Sequence, residues 1–306
     1  MAAFDLPRGM QVFERGWLSA NNILFTEGAQ TALVDSGYCT HSEQTLALVE
    51  AALGGRQLEI LVNTHLHSDH CGGNAALQGR YKQVQTLIPP GHAKEVQNWD
   101  PVALTYEPTG QLCPRFTFTG TLQSGSVIAL GTSQWEIHPA SGHDPHSVIF
   151  FEPVNRILLS ADALWENGFG VVFPELEGEH AFSEVAATLD LIEKLDPAVV
   201  VPGHGGVFAY TENVLALSRQ RLDAFVQSPL RHARHAAKVL LKFKLLELQR
   251  VQQTDFNSWA AATSYLSHIR TNFFAEMDVD QWLNMLVADL VKSKVAKREG
   301  NFVVNV

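Results

Sequence analysis

At 306 residues the chain is long for one minimal domain and suits a large domain joined to a smaller one. Its 46% hydrophobic content can fill a sizeable core, and a formal net charge of −10 works against broad adhesion to nucleic acid or anionic lipid. No stretch approaches the roughly 20 apolar residues that cross a bilayer, and the opening Met1–Arg8 lacks the basic patch and apolar run of a signal peptide. The three cysteines, Cys39, Cys71 and Cys113, are scattered and odd in number, unlike a disulfide framework. A cytoplasmic protein that makes no use of a membrane is the expectation.

Ile23–Phe25 and Thr31–Val34 are short apolar runs on either side of Glu27-Gly28, which predicts paired strands. A helix over about Glu43–Leu53 follows, with Thr40 and Glu43 at capping-box spacing and Gly54-Gly55 as its stop. Leu58–Val62 is a continuous apolar run, the mark of a strand buried on both faces, and it leads directly into Thr64–His70. Val148–Phe151 and Ile157–Leu159 flank Glu152–Asn155 as a hairpin. Ser183–Leu195 has helical periodicity ended by Asp196-Pro197, and Ala198–Val201 is another buried strand running into Pro202–Gly205. Strand, loop and helix in repetition predict an α/β architecture of sheets covered by helices. The composition changes at Ser228-Pro229, dividing residues 1–228 from a unit over 229–306. That unit carries helices at about His232–Gln249, Asn257–Ser267 and Val279–Val291, then two short strands around Glu299-Gly300-Asn301, an order that resembles a winged helix.

The chemistry concentrates after the Leu58–Val62 strand. His65 and His67 lie two apart and point to one side of an extended strand end, and Asp69 and His70 follow where the chain turns. Four good ligands within six positions converge only if a positive charge draws them together. Imidazole with carboxylate suits zinc, iron or manganese, and the lack of a thiolate in the cluster removes the usual structural-zinc pattern.

His65-x-His67-x-Asp69-His70 at the end of a buried strand resembles the signature of the metallo-β-lactamase superfamily. Ser141-Gly142-His143, Ser160-Ala161-Asp162 (with Ala161 where the family has glycine) and Pro202-Gly203-His204-Gly205 resemble its later ligand loops, in the same order. The likeness runs from about Val12 to Phe208. It implies an αββα sandwich with the helical, winged-helix-like unit appended. It also implies two divalent metal ions, zinc first, with iron or manganese as alternatives. By that likeness His65, His67 and His143 hold one ion, Asp69, His70 and His204 the other, and Asp162 bridges them. A hydroxide shared by the ions is the expected nucleophile, with Asp69 orienting it or passing a proton to the leaving group. Asp35 matches the family's acid that orients a ligand histidine, or else forms the turn before Ser36-Gly37. His146, three after His143, is expected to support a ligand or touch substrate.

Familiar β-lactamases have Cys or Ser where this chain has Asp162, so the resemblance points to the hydroxyacylglutathione hydrolases, lactonases and phosphodiesterases. The segment Ala163–Pro174 departs from the glycine- and cysteine-rich stretch of glyoxalase II enzymes, which argues against glutathione thioesters. The leading expectation is hydrolysis of a small ester, thioester or lactone. The alternatives are a metal-dependent endoribonuclease or phosphodiesterase using Arg231, Arg234, Lys238, Lys242 and Lys244, and a one-iron enzyme like persulfide dioxygenase. The expected partner is a small-molecule substrate, with self-association open. Leu164, Trp165, Phe169, Val171, Val172 and Phe173 offer an apolar wall in which Trp165 is the candidate substrate contact. His92 has no motif context, and Cys71 is expected to pack.

Overall fold

The computed structural model describes residues 4–306, so the first three residues of the signal-peptide reading lie outside it. The chain divides into two compact units, Met1–Leu104 with Leu112–Leu222, and Thr105–Gln111 with Asp223–Val306.

The first unit opens with strands β1 (Met10–Phe13), β2 (Asn22–Phe25) and β3 (Ala32–Val34), then helix α1 (Ser42–Leu53). Strand β4 (Ile60–Val62), the one-turn helix α2 (Ser68–Cys71), α3 (Asn74–Arg80), β5 (Gln85–Ile88) and α4 (Ala93–Asn98) follow. With β6 (Gly120–Thr121), the six strands form one sheet in chain order. The first three pair antiparallel and β3 to β6 run parallel. Strands β7 (Val127–Leu130), β8 (Ser133–Pro139), β9 (Val148–Glu152), β10 (Ile157–Ala161), β11 (Val199–Pro202) and β12 (Phe208–Ala209) form a second six-stranded sheet. Only its β10–β11 pair is parallel.

Strand periodicity explains how the layers stack. Along β2, β3 and β4, Phe25, Val34 and Val62 face a core shared with Trp135, Ile137, Phe150, Leu159 and Val201 of the second sheet. The alternate residues Leu24, Leu33 and Leu61 face Val49 and Leu53 on α1, Leu77 on α3 and Tyr81 just past it. Each strand therefore buries both faces, which is why the sequence shows continuous apolar runs instead of alternation. Helix α1 ends at Gly54, whose left-handed φ of 57° closes it. The capping box expected from Thr40 and Glu43 does not form. A 3-10 turn, Cys39–His41, precedes the helix and makes His41 its N-cap, without a side-chain cap.

The second unit holds α5 (Tyr106–Thr109) and, past α6 (Phe173–Leu176), α7 (Ala181–Leu195) and α8 (Glu212–Val226) of the chain order, four further helices. These are α9 (Pro229–Leu248), α10 (Gln253–Ala262), α11 (Ser264–Phe273) and α12 (Val279–Lys292). Strands β13 (Arg250–Gln252), β14 (Ala296–Glu299) and β15 (Phe302–Asn305) form an antiparallel sheet in the order β13-β15-β14. Pro229 starts α9 behind Ser228, whose side chain accepts from the Arg231 backbone N–H. The sequence pattern predicts one helix across Asn257–Ser267. The structure breaks it at Thr263, which takes an extended backbone and donates its hydroxyl to the Trp259 carbonyl. Of the basic residues on α9, Arg234 makes a two-pronged pair with Asp289 at 2.7 and 2.8 Å. Lys242 donates to the Val295 carbonyl and Lys244 pairs with Glu247 at 2.7 Å.

Trp135 is fully buried in the core between the sheets, edge-on to Phe25 at 5.6 Å. Trp135→Ala is expected to lower unfolding free energy by about 3–5 kcal/mol, read from urea denaturation. A loss below about 1 kcal/mol would mean that the sheets do not share this core.

Candidate metal centre

Each candidate ligand follows the C-terminal end of a strand. Asp35 follows β3, His65 to His70 follow β4, His143 follows β8, Asp162 follows β10 and His204 follows β11. Local backbone brings them inward. Ala161 has a left-handed φ of 46° beside a register shift between Leu159 and Ala161, so the chain swings Asp162 out of the strand line. Glycine would take that conformation without strain. At Gly203 a Cβ would lie 2.3 Å from Asp162 Oδ1 and 3.0 Å from His70 Cε1, so only glycine lets the last loop pass this close.

Two groups of donors result. One ligand atom each from His65, His67 and His143 lie within 4.8 Å of one another, and so do those of Asp69, His70, Asp162 and His204. Asp162 stands between the groups. Its Oδ2 is 3.3 Å from His143 Nε2, and its Oδ1 is 3.4 Å from His70 Nε2 and 3.8 Å from His204 Nε2.

The hydrogen bonds behind the rings decide which nitrogens face the hollow. His143 Nδ1 lies 2.5 Å from the Val171 carbonyl, which can only accept, so Nδ1 carries the proton and Nε2 offers a lone pair. Asp35 accepts from the Thr64 N–H at 2.9 Å, the Thr64 hydroxyl at 2.8 Å and His70 Nδ1 at 2.7 Å. Because the Thr64 hydroxyl is used as a donor there, it accepts from His65 Nδ1 at 3.1 Å. His65 Nε2 and His70 Nε2 are thereby left as lone pairs. In the first group His67 Nδ1 sits 2.8 Å from His143 Nε2 and 3.1 Å from His65 Nε2. In the second, His70 Nε2 is buried without a hydrogen-bond partner.

Electrostatics favour lone pairs at His65 and His67, whereas two neighbouring carboxylates draw His70 towards the imidazolium, whose second proton a cation would replace. Burial, then the neighbouring imidazoles, push His65 well below the usual imidazole range, and burial and His143 push His67 down to about 4. Burial opposes protonation of His70, but Asp35 and Asp162 outweigh it and raise that ring well above its usual range. Burial also opposes ionisation of Asp162 and Asp69. His204 and His70 overcome it at Asp162, and the His204 hydrogen bond at 3.1 Å does so at Asp69, so both are held ionised. Converging lone pairs beside one buried and one half-buried carboxylate repel one another unless cations sit among them. This donor set fits divalent metal ions.

The structure gathers His65, His67, Asp69, His70, His143, Asp162 and His204, with Asp35 directly behind His70. His146 is placed differently from the ligand rings: its N–H donates to Asp144 Oδ1, and its ring meets His92 edge-on at 4.6 Å. Trp165 donates its indole N–H to Asp162 Oδ1 at 3.2 Å, so it braces the carboxylate between the groups. Leu164, Phe169, Val171 and Val172 are core residues, whereas Phe173 packs on His67 at 5.7 Å.

Sequence reasoning missed Trp17. Its ring stacks on His204 at 5.4 Å and 10°, meets Trp165 at 5.2 Å, and remains 55% exposed. The β1–β2 loop that carries it is fixed by Asn21, whose N–H donates to the Gly203 carbonyl and whose side chain donates to the Pro202 and Gly205 carbonyls. Nothing local in the sequence marks such a long-range contact. Thr64, adjacent to the motif, carried a weak signal as a hydroxyl beside two buried histidines.

The family model of the metallo-beta-lactamase superfamily matches residues 15–204, and the chain belongs to that superfamily. Over 229 residues, 74% of this chain and 78% of the relative, it is 30% identical to a hydroxyacylglutathione hydrolase of Anaeromyxobacter dehalogenans. It is 21% identical over 253 residues to a beta-lactamase-like protein 2 homolog of Caenorhabditis elegans, covering 82% of this chain and 76% of that one. The chain spans about half the length of several other curated relatives that it matches. In fold it is similar to a metallo-beta-lactamase family protein from Thermus thermophilus, with a TM-score of 0.55 over 98% of this chain and 99% of that one, at 17% identity. The protein is a metal-dependent hydrolase. No helix among the described residues is long and apolar enough to cross a membrane.

Asp35→Asn removes an acceptor that holds three donors and so unfixes the His70 tautomer. We expect metal affinity to fall by about 10–100-fold with the fold kept, measured by competition with a chromophoric chelator. Unchanged affinity would show that Asp35 serves only its turn.

Proposed function

We propose that the protein hydrolyses a thioester of a small acyl group, with oxygen esters and lactones as slower substrates of the same site. The observation that carries this reading is the set of seven donors, three of its histidines oriented from behind, bordered by the aromatic faces of Trp17 and Phe173. His65, His67 and His143 would hold one divalent ion and Asp69, His70 and His204 a second, with Asp162 shared. Zinc is the ion best suited to this imidazole and carboxylate set. Ions held there supply Lewis acidity and a nucleophilic water at neutral pH.

The chain's own residues favour a particular leaving group. Asp69, held ionised by His204, is a proton acceptor and a weak donor. A leaving group that departs as an anion suits it, and a thiolate, with a conjugate-acid pKa of about 8–9, departs far more readily than an alkoxide. Trp17 offers an exposed apolar face for the acyl or thiol portion beside His204. Among the described residues the seven side chains pair histidine with aspartate, an arrangement that suits an uncharged carbonyl better than a phosphate. The named activity of the hydroxyacylglutathione hydrolase relative agrees with a thioester bond. The different segment Ala163–Pro174 bears on the thiol half, which therefore need not be glutathione. For the nuclease alternative, Arg234, Lys242 and Lys244 are already engaged within their own unit.

The test is a panel of matched thioester, oxygen ester, lactone and RNA substrates, with thiol release followed optically. Thioester turnover that disappears with a chelator and returns with zinc is expected. RNA cleavage without turnover of any acyl substrate would overturn the reading. Trp17→Ala should raise KM for an apolar thioester about tenfold, equivalent to about 1.4 kcal/mol of lost contact, while metal content stays constant. An unchanged KM would remove Trp17 from the substrate site.

A further inference from the structure

The chain's three cysteines have no motif in common, yet they meet in one place. Cys39 opens a 3-10 turn, Cys71 ends α2, and Cys113 lies in a stretch without regular structure, residues 111–118. Cys71 Sγ and Cys113 Sγ are 3.8 Å apart, about van der Waals contact for two sulfurs. Cys39 Sγ donates to the carbonyl of Leu112, the residue before Cys113, at 3.3 Å.

We propose that Cys71 and Cys113 are a thiol-redox site, forming a reversible disulfide by exchange with a low-molecular-weight disulfide. A disulfide needs its sulfurs about 2.05 Å apart, so the pair must close by about 1.8 Å. Residues 112–118 have no regular structure that opposes such a shift, and the Tyr38 hydroxyl on the Leu112 N–H and Cys39 on the Leu112 carbonyl keep Cys113 beside Cys71. Cys71 is fully buried and donates to the carbonyls of His67 at 3.3 Å and Leu66 at 3.4 Å. Cys113 is partly exposed, so an outside disulfide reaches it first.

The exchange is balanced. The Cys113 sulfur, losing its proton, attacks one sulfur of the small disulfide RSSR. A Cys113–S–S–R bond forms, and the departing RS⁻ takes up a proton to become RSH. The Cys71 sulfur then attacks the Cys113 sulfur, losing its own proton, and releases the second RSH. Two protein thiols are oxidised and one RSSR is reduced to two RSH. The product fastens residues 112–118 to the helix that carries Asp69 and His70.

The full-length, metal-loaded chain would be equilibrated in glutathione buffers of rising disulfide fraction, quenched with acid and a maleimide, and mapped by mass spectrometry. The site requires loss of two of the three thiols, a linked Cys71–Cys113 peptide, an alkylated Cys39, and full recovery with dithiothreitol. Cys113→Ser should abolish the loss, and Cys71→Ser should stop the reaction at glutathione on Cys113. Cys39→Ser retains the pair alone and should still lose both thiols, which keeps the test decisive if a Cys71 variant does not fold. Three thiols alkylated at every ratio, a link through Cys39, or undiminished Cys71 oxidation in Cys113→Ser would overturn the assignment.

Discussion

Five imidazoles and two ionised carboxylates point into one buried hollow, and that arrangement governs the first unit. Packing that many donors away from water is unfavourable unless their lone pairs and negative charges find cations. The hydrogen bonds behind the rings are arranged to keep the donors in that state. The Val171 carbonyl takes the His143 proton, Thr64 takes that of His65, and Asp35 takes that of His70. A backbone carbonyl, a hydroxyl and a carboxylate thus fix three tautomers from three directions.

The sandwich makes this convergence possible. Strands β3, β4, β8, β10 and β11 end beside the hollow, and their apolar residues are consumed by the cores on either side of each sheet. Polar chemistry is left to the loops just past the strand ends, where left-handed turns at Asp35 and Ala161 and the bare backbone of Gly203 set the approach. The trade is local strain at non-glycine positions, held in place by the surrounding sheet.

Much of this centre was legible because its ligands come in short bursts beside strands whose two-sided burial shows as unbroken apolar runs. His65 to His70 carry their chemistry within six positions, and the later loops repeat the strand-then-ligand pattern. What stayed hidden depends on contacts between distant segments. Trp17 reaches His204 only because Asn21 ties its loop to the last ligand loop, and His146 meets His92 across more than fifty residues. Cys71 and Cys113, expected merely to pack or scatter, are neighbours for the same reason. The break at Thr263 and the three-residue strand Arg250–Gln252 are too local and too polar for periodicity to find.

The family match and the relatives establish a metal-dependent hydrolase, and the proposed thioester chemistry builds on that. The whole account depends on ions occupying the hollow in two places. Anomalous diffraction at the zinc edge from crystals of the zinc-loaded protein tests that directly. The account predicts two peaks about 3.5–4 Å apart, one within bonding reach of His65, His67 and His143, the other of Asp69, His70 and His204, with Asp162 touching both. A single peak, or ions bound away from these side chains, would contradict it.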